Sequence, residues 1–269
     1  MKLGLCTIAF RERPLEEVID IAVDYGFDGI EIWGQDPHMP AEYDIDYVKK
    51  VKDMTLRKGL EISALGSYVN PLMDWYQRHL EEAFKIAQGL GTNLVRIWSR
   101  GGPSKTIHPD DKRLIAFRLI PLAQWAQFRR LTLGLEMHNN NLTDSAASIL
   151  ALIEQVKLPS LKTYYQPVFG SDADEPHEAV QKLAPHVVNV HAQNADMSGK
   201  SCPIADGVVD YGKVIEILAA KGYTGYIEVE FVYGDENKLA TLQRDRDYLA
   251  SLIGAFDDSS LRNVAADSV

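Results

Sequence analysis

The stretch KGYTGYIEVE, residues 221–230, joins the end of a helix-like segment to the start of an apolar strand. Its first glycine, Gly222, suits the position just past a helix end, where a left-handed backbone costs little without a Cβ atom. The stretch YGFDGIEIW, residues 25–33, repeats this joint almost in register, and LGTNLVRIW, residues 90–98, is a looser third copy. The repetition indicates a chain built from strand-and-helix units.

Short runs rich in Val, Ile, Leu and Tyr alternate along the chain with longer segments in which apolar residues recur at the helical period. We predict strands over residues 2–9, 29–33, 60–66, 93–98, 131–137, 161–166, 187–193 and 225–232. We predict helices over residues 14–25, 72–90, 109–129, 143–156, 173–184, 210–221 and 235–253. Eight predicted strands alternating with helical segments favour an α/β fold of the closed (β/α)8 TIM barrel type over an open doubly wound sheet, which has the same local pattern.

The chain has 269 residues, is 46% hydrophobic and carries no low-complexity tract, so it can bury the core of a single domain. We expect one barrel over residues 1–256. The stretch 257–269 lacks a sustained apolar period and is expected to fray as a flexible tail. The irregular segment 194–209 follows a strand and is a candidate substrate lid, with a packed surface loop as the equal alternative.

Lys and Arg number 28 against 38 Asp and Glu, which gives a net charge of -10. Nucleic acid needs a basic face, so this balance argues against nucleic acid as a partner and leaves small polar metabolites. Cys6 and Cys202 form no close-spaced pair, which predicts reduced thiols and a cytoplasmic protein. The opening apolar run, residues 3–10, is too short for a membrane span, so we expect no secretory signal and no membrane association. The oligomeric state stays open, a homo-oligomer included.

Four predicted strands end at a side chain that can bind a metal ion: Glu136, Gln166, His191 and Glu230. The strands of a barrel end at one mouth, where residues far apart in sequence converge. Ionised carboxylates near a core are costly unless a cation lies beside them. Oxygen and nitrogen ligands suit Mn²⁺ or Mg²⁺, with Co²⁺ and Zn²⁺ as further candidates. The competing interpretation is a surface glutamate or a hydrogen-bonded core histidine at each position.

His138 lies two residues beyond Glu136, and side chains two apart on a strand share a face. We therefore expect His138 beside the metal, where it could bind substrate, donate a proton or orient a ligand. The alternative is a loop histidine that caps the next helix.

Further candidates for substrate contact are Glu31 and Trp33 at the end of the second strand, and Trp98 and Arg100 at the end of the fourth. Aromatic faces pack on sugar carbons, and an arginine can hold a carboxylate or a phosphate. The alternative is that both tryptophans are ordinary core residues, which is the more common role of such side chains.

Five stretches resemble the xylose-isomerase-like barrel superfamily, which includes sugar isomerases, tagatose-type 3-epimerases, inosose dehydratases and 3-dehydroshikimate dehydratases. They are LCTIAFR (5–11), GFDGIEIWG (26–34), LEMHNNNLTD (135–144), NVHAQN (189–194) and VVDYGKVIEILAAKGYTGYIEVE (208–230). The first two are most similar to the dehydroshikimate dehydratase branch. The resemblance implies a divalent metal held by a Glu, an Asp, a His and a Glu after strands five to eight. Matched by motif, these positions are Glu136, Gln166, His191 and Glu230.

Three positions depart from the pattern that the resemblance implies. Gln166 stands where the family carries Asp, Phe169 where a His commonly follows, and Gln193 where the dehydratases carry Lys. An amide can bind metal through its carbonyl oxygen but adds no charge, so we expect weaker metal binding. The missing Lys weakens the dehydratase interpretation, and Gln193 is kept as a candidate substrate contact.

The leading hypothesis is a metal-dependent isomerase or epimerase of carbohydrate metabolism, acting on a small ketose, polyol ketone or sugar phosphate by proton abstraction next to a carbonyl. Glu136 and Glu230, on opposite sides of the substrate, would exchange the proton as base and acid. One alternative is a dehydratase of the 3-dehydroshikimate or inosose type, which shares the metal and the base. The other is a barrel that binds a sugar-like molecule without catalysis, as the three departures would allow.

Overall fold

The computed structural model describes residues 1–42, 44–170, 174–234 and 237–266, with side chains up to residue 256 in those ranges. Eight parallel strands close into a barrel, in which each strand pairs with the next along the chain and the last pairs with the first. The barrel strands are β1 (Lys2–Cys6), β2 (Gly29–Trp33), β3 (Glu61–Gly66), β4 (Leu94–Ile97), β5 (Thr132–Glu136), β6 (Leu161–Tyr165), β7 (Val187–Ala192) and β10 (Tyr226–Val229), while β8 (Asn194–Ala195) and β9 (Ser201–Cys202) form a separate two-stranded sheet. The predicted TIM barrel is confirmed.

Helices cover the outside of the barrel between successive strands. They are α1 (Leu15–Asp24), α2 (Ile45–Arg57), α3 (Tyr76–Leu90), α4 (Pro109–Phe128), α5 (Ala146–Val156), α6 (Pro176–Leu183), α7 (Tyr211–Ala219) and α8 (Lys238–Ala266). The sequence did not predict α2, which begins after Asp44, whose carboxylate accepts a hydrogen bond from the backbone N–H of Tyr47 at 2.6 Å. Within the described ranges, we find no helix that is both long and apolar enough to cross a membrane.

The last helix extends into the stretch that the sequence suggested as a tail. The helical backbone of α8 continues to Ala266, so the proposed domain end at residue 256 does not coincide with the end of the last helix. The predicted starts of two helices, residues 173 and 235, lie outside the described residues, as do the last three residues of the proposed tail.

The three repeated helix-to-strand joints have the backbone conformation that their glycines predict. Gly26, Gly91 and Gly222 have φ angles of 67°, 84° and 75°, in the left-handed region. Each follows the end of a helix and turns the chain toward the next strand, because a residue without a Cβ atom adopts this conformation at little cost.

The segment 194–209 is internally bonded and packed against α8. The amide of Asn194 donates to the carbonyls of Ile204 at 2.8 Å and Val209 at 3.0 Å, and its oxygen accepts from the backbone N–H of Val209 at 3.0 Å. Asp245 of α8 accepts from the backbone N–H of Ile204 at 2.8 Å. These contacts support the packed-loop alternative over a lid.

The inside of the barrel is shaped by glycines on three odd-numbered strands that face large side chains on even-numbered ones. The pairs are Gly4 with Glu228, Gly66 with Glu31, and Gly134 with Tyr164. In each pair, a Cβ atom on the glycine would lie between 2.4 and 2.6 Å from the larger side chain. Side chains from alternate strands normally fill such a barrel in layers, and here the glycines give polar side chains the room to enter.

Candidate metal centre at the mouth of the barrel

Three of the four predicted metal ligands converge at the C-terminal ends of the strands. Glu136 ends β5, His191 lies in β7, and Glu230 follows β10 directly. Nδ1 of His191 lies 3.1 Å from Oε1 of Glu136 and 3.4 Å from Oε1 of Glu230. The donor atoms of the three residues all lie within 4.8 Å of one another, and all three residues are buried. This spacing fits side chains that share one ion.

Three oxygens at the strand ends are buried without a hydrogen-bond partner among the described residues: Oε2 of Glu136, Oε2 of Glu230 and Oε1 of Gln166. Gln166 follows β6 directly and is itself buried. Buried polar atoms in folded proteins nearly always have a partner. The unpartnered oxygens on the predicted ligands therefore indicate that another group binds to them. A hard divalent cation is coordinated by oxygens of this kind together with an imidazole nitrogen, and the donor set therefore fits it.

A buried arginine, Arg96 of β4, lies beside the candidate ligands and was missed by the sequence argument. Its Nη1 donates to Oε1 of Glu136 at 3.0 Å, and its side chain is 2% exposed. Burial raises the pKa of Glu136, but Arg96 and His191 outweigh burial and lower that pKa to about 2. Glu136 is therefore ionised at neutral pH. The signal was the charged residue inside the apolar run LVRIW, two positions before Trp98.

Glu31 lies behind the histidine ring, away from the position predicted for a substrate contact. Its Oε2 is 3.2 Å from Nε2 of His191, and both side chains are fully buried. Burial raises the pKa of Glu31, whereas the charge of His191 and its hydrogen bond lower it, and the net shift is downward. These contacts place the carboxylate one layer deeper in the barrel than the mouth.

The same deeper layer contains Glu228 and Asn189, which precede the candidate ligands Glu230 and His191 by two positions each. Asn189 donates from Nδ2 to Glu228 at 2.7 Å and to Glu31 at 3.3 Å. Ser63 donates to Oε1 of Glu228 at 2.5 Å. Burial, and then the charge of Glu31, raise the pKa of Glu228 to about 8. Glu228 is accordingly protonated at neutral pH.

The charges buried in the barrel balance around a divalent cation. Among the described side chains inside the barrel, the buried acids are Glu31, Glu136, Glu228 and Glu230, and the buried bases are Arg96 and His191. Burial lowers the pKa of His191, but Glu230 and Glu31 raise it well above its ordinary value, so the ring holds a proton when no metal is bound. With Glu228 protonated, three negative charges then face two positive ones. If a divalent cation replaces the extra proton of His191, the cation and these side chains together have no net charge. A neutral set is less costly to bury than a charged one.

An aromatic row lines one side of the mouth and joins several of the predicted substrate contacts. Trp33 donates from Nε1 to the hydroxyl of Tyr68 at 2.8 Å, and the Tyr68 ring stacks on Trp98 with centroids 5.6 Å apart. The ring of His138 follows at 4.5 Å from Trp98, and the guanidinium of Arg100 lies 4.7 Å from the Trp98 centroid. Tyr68 links the row and follows β3, where no sequence signal singled it out.

Gln193 connects the ends of β7 and β6. Its backbone N–H donates to the Tyr211 hydroxyl at 2.9 Å, and that hydroxyl donates to the Gln193 carbonyl at 2.8 Å. Its side-chain amide donates to the carbonyl of Pro167 at 3.4 Å. The residue is half-buried.

Comparison with known proteins gives a consistent assignment. The family described as xylose isomerase-like TIM barrel matches residues 19–252. The chain is 26% identical over 266 residues to 3-dehydroshikimate dehydratase of Bacillus anthracis, covering 94% of this chain and 90% of that protein. The protein therefore belongs to the xylose isomerase-like TIM barrel family.

Two solved structures share the fold at lower identity. A xylose isomerase-like TIM barrel protein from Mycobacterium smegmatis in complex with magnesium has a TM-score of 0.76 and 18% identity, with 94% of this chain and 97% of that chain covered. D-psicose 3-epimerase from Clostridium cellulolyticum H10, solved with D-tagatose, has a TM-score of 0.74 and 18% identity, with 94% and 99% covered. At these identities the two comparisons establish the shared fold.

Proposed function

We propose that this protein is a metal-dependent isomerase or epimerase that removes a proton next to the carbonyl of a small ketose, polyol ketone or sugar phosphate. One observation carries the proposal. Glu136 and Glu230 approach His191 from β5 and from the end of β10, and each has a buried oxygen without a partner among the described residues. A centre with two carboxylates can take a proton from one position and return it at another.

The donor set supports a metal-binding role for four residues. Glu136, His191 and Glu230 would hold the cation, with Gln166 as the fourth ligand through its unpartnered oxygen. The magnesium in the Mycobacterium smegmatis relative supports Mg²⁺, and Mn²⁺ suits the same ligands. When bound, the cation supplies a Lewis acid that polarises the substrate carbonyl and stabilises the negative charge that develops there.

The remaining side chains would hold and orient the substrate. The row of Trp33, Tyr68 and Trp98 presents aromatic surface suited to the carbon face of a sugar. His138, at the end of that row and half-buried, would donate a hydrogen bond to a substrate hydroxyl. Arg100 is exposed at the rim, where it would attract a substrate phosphate or carboxylate.

A dehydratase is the second candidate function, and the Bacillus anthracis relative favours it because the similarity extends over most of both chains. Such a lyase would use the same base and metal, and His138 could protonate the departing hydroxyl. Gln193 would leave this reaction without the positive charge that the resemblance leads us to expect at that position.

The test is a substrate screen with protein loaded with Mg²⁺ or Mn²⁺. Incubation in D₂O with ketoses, their phosphates and inososes, followed by proton NMR, should show exchange of the C–H next to the carbonyl and formation of the epimer or isomer. Loss of water from 3-dehydroshikimate, seen as rising ultraviolet absorbance, would select the dehydratase. Saturable binding of a sugar without exchange or water loss would select a non-catalytic barrel.

Variants connect any activity to the centre. Glu136→Gln and Glu230→Gln should each abolish exchange, because each removes a carboxylate that holds the metal and moves the proton. Glu154→Gln is the matched control, since Glu154 lies on the surface of α5 and pairs with Lys157 at 2.9 Å. Full activity in both site variants would contradict the proposed function.

A further inference from the structure

The two ring nitrogens of His191 face different groups. Nδ1 faces the mouth, at 3.1 Å from Glu136, while Nε2 faces the deeper layer, at 3.2 Å from Oε2 of Glu31. A neutral imidazole has one N–H donor and one free nitrogen, and the acceptor beside one nitrogen decides where the proton stays. The ring can therefore bind metal at Nδ1 only while its proton is on Nε2, and an acceptor beside Nε2 favours that state.

We infer that Glu31 is this partner: a positioning residue that keeps the proton of His191 on Nε2 and leaves Nδ1 free for the metal. The inference rests on the metal centre of the proposed function. Glu31 would touch neither substrate nor metal, and it would act only through the histidine. It thereby takes a different role from the substrate contact that the sequence suggested.

The neighbouring carboxylate, Glu228, is a weaker candidate for this role. Its Oε2 lies 3.9 Å from Nε2 of His191, beyond hydrogen-bond distance. Its two oxygens accept hydrogen bonds from Ser63 at 2.5 Å and from Asn189 at 2.7 Å. The two acids thus share a layer and full burial but differ in whether they bond to the ring.

The surrounding residues hold the Glu31 carboxylate in place. Asn189 donates to Oε2 at 3.3 Å, the same oxygen that faces the histidine, and the Cys6 thiol donates to Oε1 at 3.6 Å. The absence of a side chain at Gly66 makes room, because a Cβ atom there would lie 2.5 Å from Oε1. A carboxylate fixed by two strands and a glycine is suited to orienting a ring.

The first test compares Mn²⁺ affinity by calorimetric titration of metal-stripped wild type, Glu31→Gln and Glu228→Gln. Loss of the carboxylate that orients a metal-binding histidine weakens metal affinity by about 10- to 100-fold, and this is the result expected for Glu31→Gln. Glu228→Gln is the matched control, being the same change in the same layer, and should bind as the wild type does. Equal affinity in wild type and Glu31→Gln, or equal weakening in both variants, would overturn the inference.

The second readout is the state of the ring itself, by ¹⁵N NMR of His191 in protein loaded with diamagnetic Zn²⁺. Wild type should show a proton on Nε2 with a strongly hydrogen-bonded shift, and Glu31→Gln should lose that shift while staying folded. An unchanged shift in the folded variant would count against the assignment. If Glu31→Gln does not fold, Glu31→Asp keeps the charge but shortens the side chain by one methylene, and it should also weaken Mn²⁺ binding.

The outcomes separate this inference from the proposed function. Wild type that binds Mn²⁺ but turns over no carbonyl substrate would refute the enzyme while the affinity comparison still tests Glu31. Wild type that binds no divalent ion would remove the metal centre and the inference together. If the wild type turns over substrate with Mn²⁺ and Glu31→Gln binds Mn²⁺ as tightly as the wild type, the inference about Glu31 is refuted and the proposed function stands.

Discussion

Arg96 donates a hydrogen bond from Nη1 to Oε1 of Glu136 over 3.0 Å, and both side chains are buried inside the barrel. The pair fixes the charge of one candidate ligand before any metal binds. Because a buried ion pair depends on both partners, removal of one leaves an uncompensated charge in the core.

Arg96→Met should destabilise the metal-stripped protein by about 3–5 kcal/mol at pH 7, measured by urea unfolding, because Glu136 keeps a buried charge without its main partner. The control is Arg129→Met, which breaks a half-exposed pair with Glu81 and should cost no more than about 1 kcal/mol. A similar loss in the two variants would contradict the special role of Arg96.

The same variant should change the response to acid. In the wild type the pKa of Glu136 is lowered from 4.5 to about 2, so its pairing contributes stability above pH 4.5 that is lost as the pH falls toward 2. Arg96→Met should flatten that part of the stability curve. The measurement is the urea midpoint between pH 2 and pH 5 for both proteins.

Glu228→Gln should change the alkaline side of the curve. The pKa of Glu228 is raised from 4.5 to about 8, so the metal-stripped wild type binds this proton more tightly when folded and loses stability as the pH rises from 4.5 toward 8. The glutamine cannot ionise, and the variant should gain stability relative to wild type as the pH increases. Thermal melts from pH 5 to pH 9 test this, and a constant difference across the range would contradict it.

Gln166→Asp should have opposite effects on metal binding and on the metal-free fold. The added carboxylate should tighten Mn²⁺ binding, because it brings a charged oxygen to the fourth ligand position. It should also lower the melting temperature of the metal-stripped protein, where that charge is buried without a cation. Elemental analysis and calorimetric titration measure the first effect. His191→Ala is the comparison and should lose the metal.

Asp245→Asn should stabilise the protein at pH 7.5 by up to about 3 kcal/mol. Burial raises the pKa of Asp245 from 3.8 to about 6, so ionisation costs stability as the pH rises from 3.8 through 6. The amide keeps an oxygen for the N–H of Ile204 and carries no charge. Thermal melts should show the gain at pH 7.5 and little of it at pH 4.

The matched control for that change is Asp247→Asn on the same helix. Asp247 is exposed, and its pKa is lowered by hydrogen bonds from Gln243 and Arg246. Asp247→Asn should therefore bring no gain in stability at pH 7.5. A gain of equal size in both variants would indicate a general effect of reduced acidity in α8.

The barrel and the residues at its mouth could be predicted because both follow from short-range patterns. Alternating strands and helices define the fold, and the ends of parallel strands must meet, so Glu136, His191 and Glu230 could be brought together from sequence. The helix α2 was missed because its sequence is strongly polar and only Val48, Val51 and Thr55 are buried.

The deeper polar layer could not be predicted in the same way. A charged residue within an apolar strand, such as Arg96, Glu31 or Glu228, points either into the barrel or away from it, and alternation alone does not decide which. The direction depends on closure of the barrel and on the space that glycines leave on neighbouring strands. Those are long-range properties of three-dimensional packing.

The close approach of Gly66 to Glu31 has a consequence for how relatives of this chain can diverge. A larger residue at position 66 would collide with the carboxylate, and a smaller residue at position 31 would leave a hole that position 66 could fill. The two sites are therefore expected to covary across an alignment, and the same holds for Gly4 with Glu228. Each site therefore limits which residues its partner can become. A substitution at one site is expected to be tolerated only together with a compensating substitution at the other.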